Sequence, residues 1–141
     1  MRFVDTNVLL YAASLLPEEA DKRRRARALL TEPDLSVSVQ VLQEFYHQAT
    51  RSTRPGRLSH DDALQFIEPI LLMPIQAITL DVFRTGVAIS QRFGLSYWDG
   101  AILAAARALG CDVVCSEEFS EEQDYDGLRV TNPFTDQADP Q

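Results

Sequence analysis

The sequence predicts an α/β fold in three layers (α/β/α), with a mainly parallel central sheet covered by helices on both faces. Short apolar runs alternate along the chain with longer segments of helical periodicity. Segments of ten or more residues between strands are typical of crossovers that connect parallel strands. The 141 residues are also about the size of one typical domain. We therefore expect a single domain over 1–141, with a short polar tail at about 136–141.

Five apolar runs are expected to form the strands of this sheet. CDVVCS is the clearest of them, because its continuous apolar character is typical of a strand buried on both faces. The runs are RFVD (2–5), LSVSV (35–39), PIQAITL (74–80), CDVVCS (111–116) and LRVTNPF (128–134).

Helices are expected between these strands, and local signals mark several of their ends. Pro33 closes one helix, Ser38, Ser59 and Ser96 can each cap the next one, and Gly110 stops the last. The segments are NVLLYAAS after the first strand, EEADKRRRARALL (18–30), VLQEFYHQAT (41–50), SHDDALQFIEPILL (59–72), DVFRTGVAISQRF (81–93) and the segment from Ser96 to Gly110.

The composition is that of a soluble globular protein, with 45% hydrophobic and 24% charged residues. Its longest apolar runs, such as AILAAA at 101–106, are far shorter than the roughly 20 residues of a membrane span. Asp5 and Asn7 interrupt the apolar run near the N-terminus, and no convincing cleavage site follows it. We expect a cytoplasmic protein with no membrane contact.

The two cysteines predict neither a zinc site nor a disulfide framework. Cys111 and Cys115 are four residues apart around a predicted strand, and no further Cys or His accompanies them. We expect buried free thiols.

The net charge of −8 argues superficially against a nucleic-acid partner, but the charges are unevenly distributed. Five of the 13 basic residues lie in KRRRAR at 22–27, and three more lie in RSTRPGR at 51–57. From residue 112 onward there are nine acidic residues and only Arg129 as a base. The basic run is equally compatible with a solvated helix face and with contact to a polyanion.

Several acidic residues fall at one edge of the predicted sheet. Asp5 ends the first strand, and Glu117 and Glu118 directly follow the CDVVCS strand. Glu44 and Asp99 lie on helices close to the same rim. Sites in open α/β sheets form at the carboxyl ends of the strands, although Asp5 alone could equally be a helix cap.

Asp99 has both a local and a functional explanation. It follows Ser96 by three residues, which is the spacing of a capping box. It also shares helical spacing with Ile102, Ala106 and Leu109, so its carboxylate is expected to point toward the apolar face. The cap therefore does not fully explain an acid at this position.

Inward carboxylates require a compensating positive charge, since burying one without a partner costs several kcal/mol. Glu44 lies three residues after Val41 and beside Phe45 on a helix rich in apolar residues. The only lysine of the chain is Lys22, and most arginines lie elsewhere in the sequence. A bound divalent metal would supply the positive charge that offsets the cost of burying these carboxylates. Oxygen donors without Cys or a His cluster favour Mg²⁺ or Mn²⁺ over zinc.

Four ordered motifs resemble those of PIN-domain nucleases, most closely the VapC-type toxins of bacterial toxin–antitoxin pairs. They are DTNVLLYA at 5–12, V-x-x-E-F at 41–45, SYWDGAILAAA at 96–106 and VVCSEEF at 113–119, and NPF at 132–134 resembles the closing segment of the family. The resemblance implies a PIN-like fold and a metal-dependent endoribonuclease that cleaves RNA.

The resemblance also implies which residues carry the activity. Asp5, Glu44 and Asp99 match the first three acids of the family. Glu118 is aligned with the fourth, which is usually Asp, and Glu117 is the alternative. This departure from Asp leaves open whether the site holds a second metal ion.

Further roles follow for neighbouring side chains and for partners. Thr6, Asn7 and Ser116 are expected to orient the carboxylates that hold Mg²⁺. Basic residues at the rim are expected to attract RNA, although the first basic run could instead meet an acidic antitoxin. The RNA-binding candidates are Arg23, Arg24, Arg25, Arg51 and Arg54. The family resemblance implies a cognate antitoxin whose tail fills the groove, and a homodimer.

Other acidic-site proteins fit the sequence less well. A receiver domain needs a lysine near its last strand, whereas Lys22 lies in another part of the chain. A haloacid-dehalogenase phosphatase needs a second Asp where Asn7 follows Asp5. The remaining alternative is a catalytically inactive PIN-fold module that binds RNA or protein.

Overall fold

The structure, a computed structural model, describes residues 1–136. The expected polar tail lies outside the described residues except for Asp136. The described chain forms five strands and six α-helices, with two additional single turns of 3₁₀-helix. The strands are β1 (Arg2–Val4), β2 (Leu35–Ser38), β3 (Ile75–Gln76), β4 (Val113–Cys115) and β5 (Arg129–Thr131).

The six helices fill the intervals that the sequence pattern predicts. They are α1 (Thr6–Ala13), α2 (Ala20–Leu30), α3 (Val39–Thr50), α4 (His60–Ile67), α5 (Leu80–Phe93) and α6 (Tyr97–Ala108). The short 3₁₀ turns are Pro17–Glu19 and Ile70–Leu72. No helix in residues 1–136 is long and apolar enough to cross a membrane.

All neighbouring strands of the sheet pair in parallel, in the order β3-β2-β1-β4-β5. Phe3 of the central strand β1 pairs with Ser36 of β2 on one side and with Val114 of β4 on the other. The predicted three-layer α/β/α fold with a parallel central sheet is therefore confirmed. The strand order reverses around β1, so the carboxyl ends of β1, β2 and β4 meet where open α/β sheets form their sites.

Serine caps hold the starts of the helices that matter for the site. The Ser38 hydroxyl accepts a hydrogen bond from the Val41 amide at 3.2 Å, and the Ser96 hydroxyl accepts one from the Asp99 amide at 3.1 Å. Gly94 ends α5 with a positive φ of 66°, a conformation that glycine adopts without strain. The glycine that ends α5 and the serine that caps α6 thus set both ends of the short link between these helices.

Some predicted boundaries were wrong for local reasons. The strand expected at 74–80 is only Ile75–Gln76, because Thr79 caps α5 by accepting a hydrogen bond from the Val82 amide at 3.1 Å. The helix expected over 59–72 ends at Ile67, two residues before Pro69, and a separate 3₁₀ turn follows. Proline lacks the amide hydrogen that a continuous helix needs.

The core lies between the sheet and its two layers of helices. Phe3, Val4 and Val114 of the central strands are fully buried, as are Phe45 of α3 and Leu103 of α6. The buried free thiols predicted for the two cysteines are confirmed. Cys111 precedes β4 and its sulfur contacts the Ser36 hydroxyl at 3.2 Å.

Close packing of α5 against α6 fixes the position of the α6 N-terminus. A Cβ atom at Gly100 would lie 2.5 Å from the carbonyl oxygen of Gly86 and 3.1 Å from the Cβ of Ser90. Only a glycine permits this approach of the two backbones. Since Asp99 directly precedes Gly100, the contact also places the backbone of Asp99.

The substitution Gly100→Ala is expected to destabilise the protein by about 2–3 kcal/mol, because the added methyl group meets a backbone oxygen. In an open helix the same change would stabilise by up to about 1 kcal/mol. Gly86→Ala is the matched control, since its Cβ would lie 3.1 Å from the Ala101 Cα, and it should cost less. Urea unfolding measures both values, and a Gly100→Ala protein as stable as the wild type would contradict the packing argument.

Candidate active site

The structure brings the four acids proposed from the sequence to the carboxyl edge of the sheet. Asp5 directly follows β1, and Glu118 lies three residues after β4. Glu44 lies in the second turn of α3, and Asp99 in the first turn of α6. The negative charges of Glu118 and Glu44 act on Asp5, and those of Asp99 and Glu44 act on Glu118. These four residues are called the acidic cluster below.

Asp5 is the buried centre of the acidic cluster, with only 3% of its surface exposed. Its Oδ1 accepts a hydrogen bond from the Thr6 amide at 2.7 Å. Its Oδ2 accepts hydrogen bonds from the Ser116 hydroxyl at 2.8 Å and the Asn7 side-chain amide at 3.3 Å. Thr6 thus contacts this carboxylate through its backbone amide, and Asn7 and Ser116 contact it through their side chains. No lysine or arginine within residues 1–136 forms an ion pair with it.

This environment raises the pKa of Asp5 to about 7. Loss of solvation in the protein interior is the main cause, and the charges of Glu118 and Glu44 add to it. The hydrogen bonds from Ser116 and Thr6 act in the opposite direction. Ionised Asp5 is thus well provided with hydrogen bonds and lacks a compensating positive charge.

Glu44 is tied to two other parts of the site. Its Oε1 accepts a hydrogen bond from Gln40 at 2.8 Å, and its Oε2 lies 3.5 Å from the Thr6 hydroxyl. The same Gln40 amide group donates to the backbone carbonyl of Trp98 at 3.1 Å. Gln40 therefore links Glu44 of α3 to the first turn of α6, where Asp99 lies.

Asp99 forms half of the capping box that its spacing suggests. Its amide donates to the Ser96 hydroxyl, but within the described chain no hydrogen bond runs from the Ser96 amide to the Asp99 carboxylate. The half-buried carboxylate therefore does not serve the cap. The cap fixes the backbone of Asp99 and leaves its side chain available to the acidic cluster.

Glu118 and Glu117 differ sharply in their surroundings. The amide of Glu118 donates to the Ser116 hydroxyl at 3.0 Å. Although much of Glu118 is exposed, partial desolvation of its carboxyl raises its pKa, and the charges of Asp99 and Glu44 raise it further. Glu117 is instead bound by the hydroxyl of Tyr11 at 2.5 Å and by Lys22 at 2.9 Å. These contacts support Glu118 as the fourth acid.

The acidic cluster fits a hard divalent cation in its donor chemistry. All four side chains are carboxylates, and the buried one has no cationic partner, which are the conditions that Mg²⁺ or Mn²⁺ satisfies. In residues 1–136 no three Asp, Glu, His or Cys side chains are already arranged to hold a metal ion. Coordination by several members of the cluster thus requires side-chain rotation, for which the exposed Glu118 is free.

The arginines proposed to bind RNA fall into two groups. Arg24 and Arg25 form ion pairs with Asp21, and Arg25 also pairs with Asp136. Arg23 donates to the backbone carbonyl of Ser14 at 3.1 Å. This local pairing favours a solvated helix face for the basic run. Arg51 and Arg54 follow α3 and form no ion pair within the described chain.

Sequence reasoning missed four residues near the acidic cluster. Gln40 precedes Glu44 by four residues, so its contact with Glu44 could have been inferred from helical spacing. Trp98 meets Gln40 through its backbone carbonyl, which helical spacing does not indicate. Tyr11 and Lys22 contact Glu117 across 106 and 95 residues of sequence, for which no local signal exists. Lys22 lies on α2 and contacts Glu117, because the turn after β4 reaches α2.

The raised pKa of Asp5 predicts that the metal-free protein loses stability as pH rises. The folded carboxyl keeps its proton up to about pH 7, whereas the ordinary pKa of an Asp carboxyl is 3.8. The folded state binds more protons between these values, so the free energy of unfolding decreases as pH rises through that window.

Asp5→Asn removes the titrating group. Between about pH 4 and about pH 8 the variant should therefore gain about 2–4 kcal/mol of stability relative to the wild type. Urea unfolding in EDTA at a series of pH values measures this gain, and parallel pH profiles for the two proteins would contradict it.

Comparison with known proteins identifies the family. The PIN domain model matches residues 2–119, a range that includes the whole acidic cluster. No curated protein sequence matches the chain. The solved structures that it resembles include a toxin–antitoxin complex from Klebsiella pneumoniae, with 20% identity over 94% of this chain and 98% of that one, at a TM-score of 0.66.

Two further structures are similar at comparable levels. FitAcB from Neisseria gonorrhoeae has 19% identity over 95% of this chain and 99% of that one, at a TM-score of 0.68. VapC20 of Mycobacterium tuberculosis, a Sarcin-Ricin loop cleaving toxin, has 17% identity over 81% of this chain and 87% of that one, at a TM-score of 0.62. At these identities the likeness establishes the fold. Because the PIN model spans most of the sequence, the protein belongs to the PIN domain family.

Proposed function

We propose that the protein is a Mg²⁺-dependent endoribonuclease and the toxin of a type II toxin–antitoxin pair. The observation that carries the proposal is Asp5, a buried carboxylate without a cationic partner that faces other acids at the switch point of the sheet. A PIN-family chain with this feature has both the place and the electrostatic need for a divalent ion. Mn²⁺ has the same donor preference and is the expected substitute.

Asp5 and Asp99 are proposed to hold the principal ion, with Glu44 and Glu118 completing its coordination or holding a second. When bound, the ion orients a water nucleophile and offsets the charge that builds on the phosphoryl oxygens during hydrolysis. Thr6, through its amide, and Ser116, through its hydroxyl, keep Asp5 in one orientation. Asn7 serves the same purpose and also accepts a hydrogen bond from the Glu117 amide at 3.3 Å.

RNA is favoured as the substrate by the surroundings of the acidic cluster. Trp98 is 67% exposed and adjoins Asp99, which makes its ring available to stack on an unpaired base. Arg51 and Arg54 follow the C-terminal end of α3, beyond Glu44, and are proposed to attract the phosphate backbone over a longer range. One structural neighbour is a Sarcin-Ricin loop cleaving toxin, which is consistent with RNA as the target class.

The toxin assignment draws on the named neighbours, among which are a toxin–antitoxin complex and a VapBC complex bound to DNA. We accordingly propose a cognate antitoxin that covers the acidic cluster, and a cytoplasmic location. A homodimer is proposed because Ile78, Leu80 and Phe83 present large exposed apolar side chains around the start of α5.

A catalytically inactive PIN module that binds RNA or protein is the second candidate. It is favoured by one observation, namely that in the described chain no three acids are already arranged to hold an ion. Incubation of the purified protein with total RNA, in Mg²⁺ or in EDTA, separates the two functions. Cleavage that requires the ion supports the nuclease, and RNA binding without cleavage supports the module.

Asp5→Asn and Asp99→Asn are each expected to reduce RNA cleavage by at least about 100-fold, because each removes one charged ligand from the proposed ion. Both variants should keep the far-ultraviolet circular dichroism of the wild type. The matched control is Asp112→Asn, since Asp112 is an exposed acid that precedes β4 at the opposite edge of the sheet.

The control should cleave RNA at the wild-type rate. Undiminished cleavage by both Asp5→Asn and Asp99→Asn would overturn the assignment of the site, and an equal loss in Asp112→Asn would show that the effect does not depend on the acidic cluster.

A further inference from the structure

Two neighbouring glutamates follow β4, and their backbone amides are held by different parts of the site. The Glu117 amide donates to Asn7 Oδ1 at 3.3 Å, and the Glu118 amide donates to Ser116 Oγ at 3.0 Å. Asn7 and Ser116 in turn contact each other at 3.0 Å and both contact Asp5. The orientation of this turn therefore bears directly on the acidic cluster.

The side chain of Glu117 is bound on both of its oxygens. Tyr11 donates its hydroxyl to Oε1 at 2.5 Å, and Lys22 donates its ammonium to Oε2 at 2.9 Å. Lys22 also donates to the Tyr11 hydroxyl at 3.1 Å and lies over the Tyr11 ring, 4.5 Å from its centroid. Lys22, Tyr11 and Glu117 thus form a closed triangle of contacts, called the Glu117 clamp below.

Helix α1 holds Glu117 at two points. Tyr11 follows Asn7 by four residues, so both project from the same side of α1. Asn7 binds the backbone of Glu117 and Tyr11 binds its carboxylate. Lys22 adds α2 to the same arrangement, so the clamp joins α1, α2 and the turn after β4.

Without the clamp, Glu117 would be a fifth carboxylate beside the acidic cluster. Its charge already acts on Glu118 from the clamped position. The pair of Lys22 and Glu117 is partly exposed, with 41% and 24% of the side chains accessible. A pair of this exposure adds little to global stability, so its main effect is on orientation.

We propose that Lys22 and Tyr11 are positioning residues that act through Glu117. They hold its carboxylate away from the acidic cluster and fix the turn in which Glu118 faces Asp99 and Glu44. This inference rests on the proposed nuclease function for its consequence in catalysis. The clamp itself is a property of the protein alone and is testable without substrate or metal.

Direct binding of RNA by Lys22 is the competing role for the only lysine of the chain. In the structure the ammonium group is occupied by Glu117 and Tyr11, and it also lies 5.7 Å from the centroid of the Phe134 ring. Its charge is balanced by Glu117 at the short distance of 2.9 Å. Positioning is therefore the role that the contacts favour.

Amide hydrogen exchange of the metal-free protein tests the clamp directly. Lys22→Met and Tyr11→Phe should each increase exchange at the Glu117 and Glu118 amides by roughly fivefold, because the turn loses its side-chain anchor. Exchange at the Val114 amide in β4 should not change, which distinguishes a local effect from global destabilisation. Lys22→Arg should restore most of the protection.

The matched control is Arg92→Met, which removes another exposed ion pair, that of Arg92 with Asp126 at 2.6 Å. It should leave the Glu117 and Glu118 amides unchanged. Unchanged exchange at these two amides in Lys22→Met would overturn the clamp, as would an increase of the same size in Arg92→Met.

Steady-state RNA cleavage tests the consequence for the acidic cluster. Lys22→Met should lower kcat about tenfold with KM within about twofold of the wild type, because the residue orients Glu118 and does not touch RNA. The double variant Lys22→Met with Glu117→Gln should be no slower than the slower of its two single variants, since both changes act through the same contact.

A raised KM in Lys22→Met together with a lowered KM in Glu117→Gln would show that Lys22 binds RNA, and would overturn the positioning role. A wild-type protein that fails to cleave RNA would contradict the proposed function, while the exchange measurement would still decide whether the clamp exists.

Discussion

The burial of the Asp5 carboxylate is the constraint on which the arrangement of the site depends. Asp5 lies at the end of the central strand and is almost inaccessible, yet Thr6, Asn7 and Ser116 direct three hydrogen bonds to it. These donors stabilise the ionised form only in part, since the pKa of the group is still raised to about 7. The fold thus holds a carboxylate in position and leaves its charge uncompensated. The proposed divalent ion would remove that cost, and the neighbouring acids of the cluster would increase the benefit of binding it.

The surrounding elements place each remaining acid by a different device. The serine cap of α6 and the glycine contact with α5 fix the backbone of Asp99. Gln40 links Glu44 to the same turn of α6. After β4, the Glu117 and Glu118 amides donate hydrogen bonds to Asn7 and Ser116 respectively. Asn7 and Ser116 also donate to Asp5, so a shift in one acid is transmitted to the others. This interdependence explains why residues outside the acidic cluster are expected to affect the proposed cleavage.

Local patterns in the sequence were enough to predict much of this arrangement. The alternation of apolar runs and periodic segments predicted the parallel sheet, and the serines at 38, 59 and 96 predicted helix starts that the structure confirms. These signals act over three or four residues, so the helix starts can be recognised from one sequence alone. The short length of β3 was not predicted, since Thr79 fits a strand as well as a cap. The contact of Lys22 with Glu117 depends on how α2 packs beside the end of β4, and no spacing in the sequence encodes it.

The central claim is that Asp5 is a buried acid whose ionisation depends on a bound cation. Titration of the Asp5 side-chain carboxyl by carbon-detected nuclear magnetic resonance tests this claim most directly, first in EDTA and then in excess Mg²⁺. The account predicts a pKa of about 7 in the metal-free protein. It predicts a clear decrease on addition of Mg²⁺, because the ion stabilises the charged form. A pKa close to 3.8 in EDTA, or a raised pKa that Mg²⁺ leaves unchanged, would contradict the account.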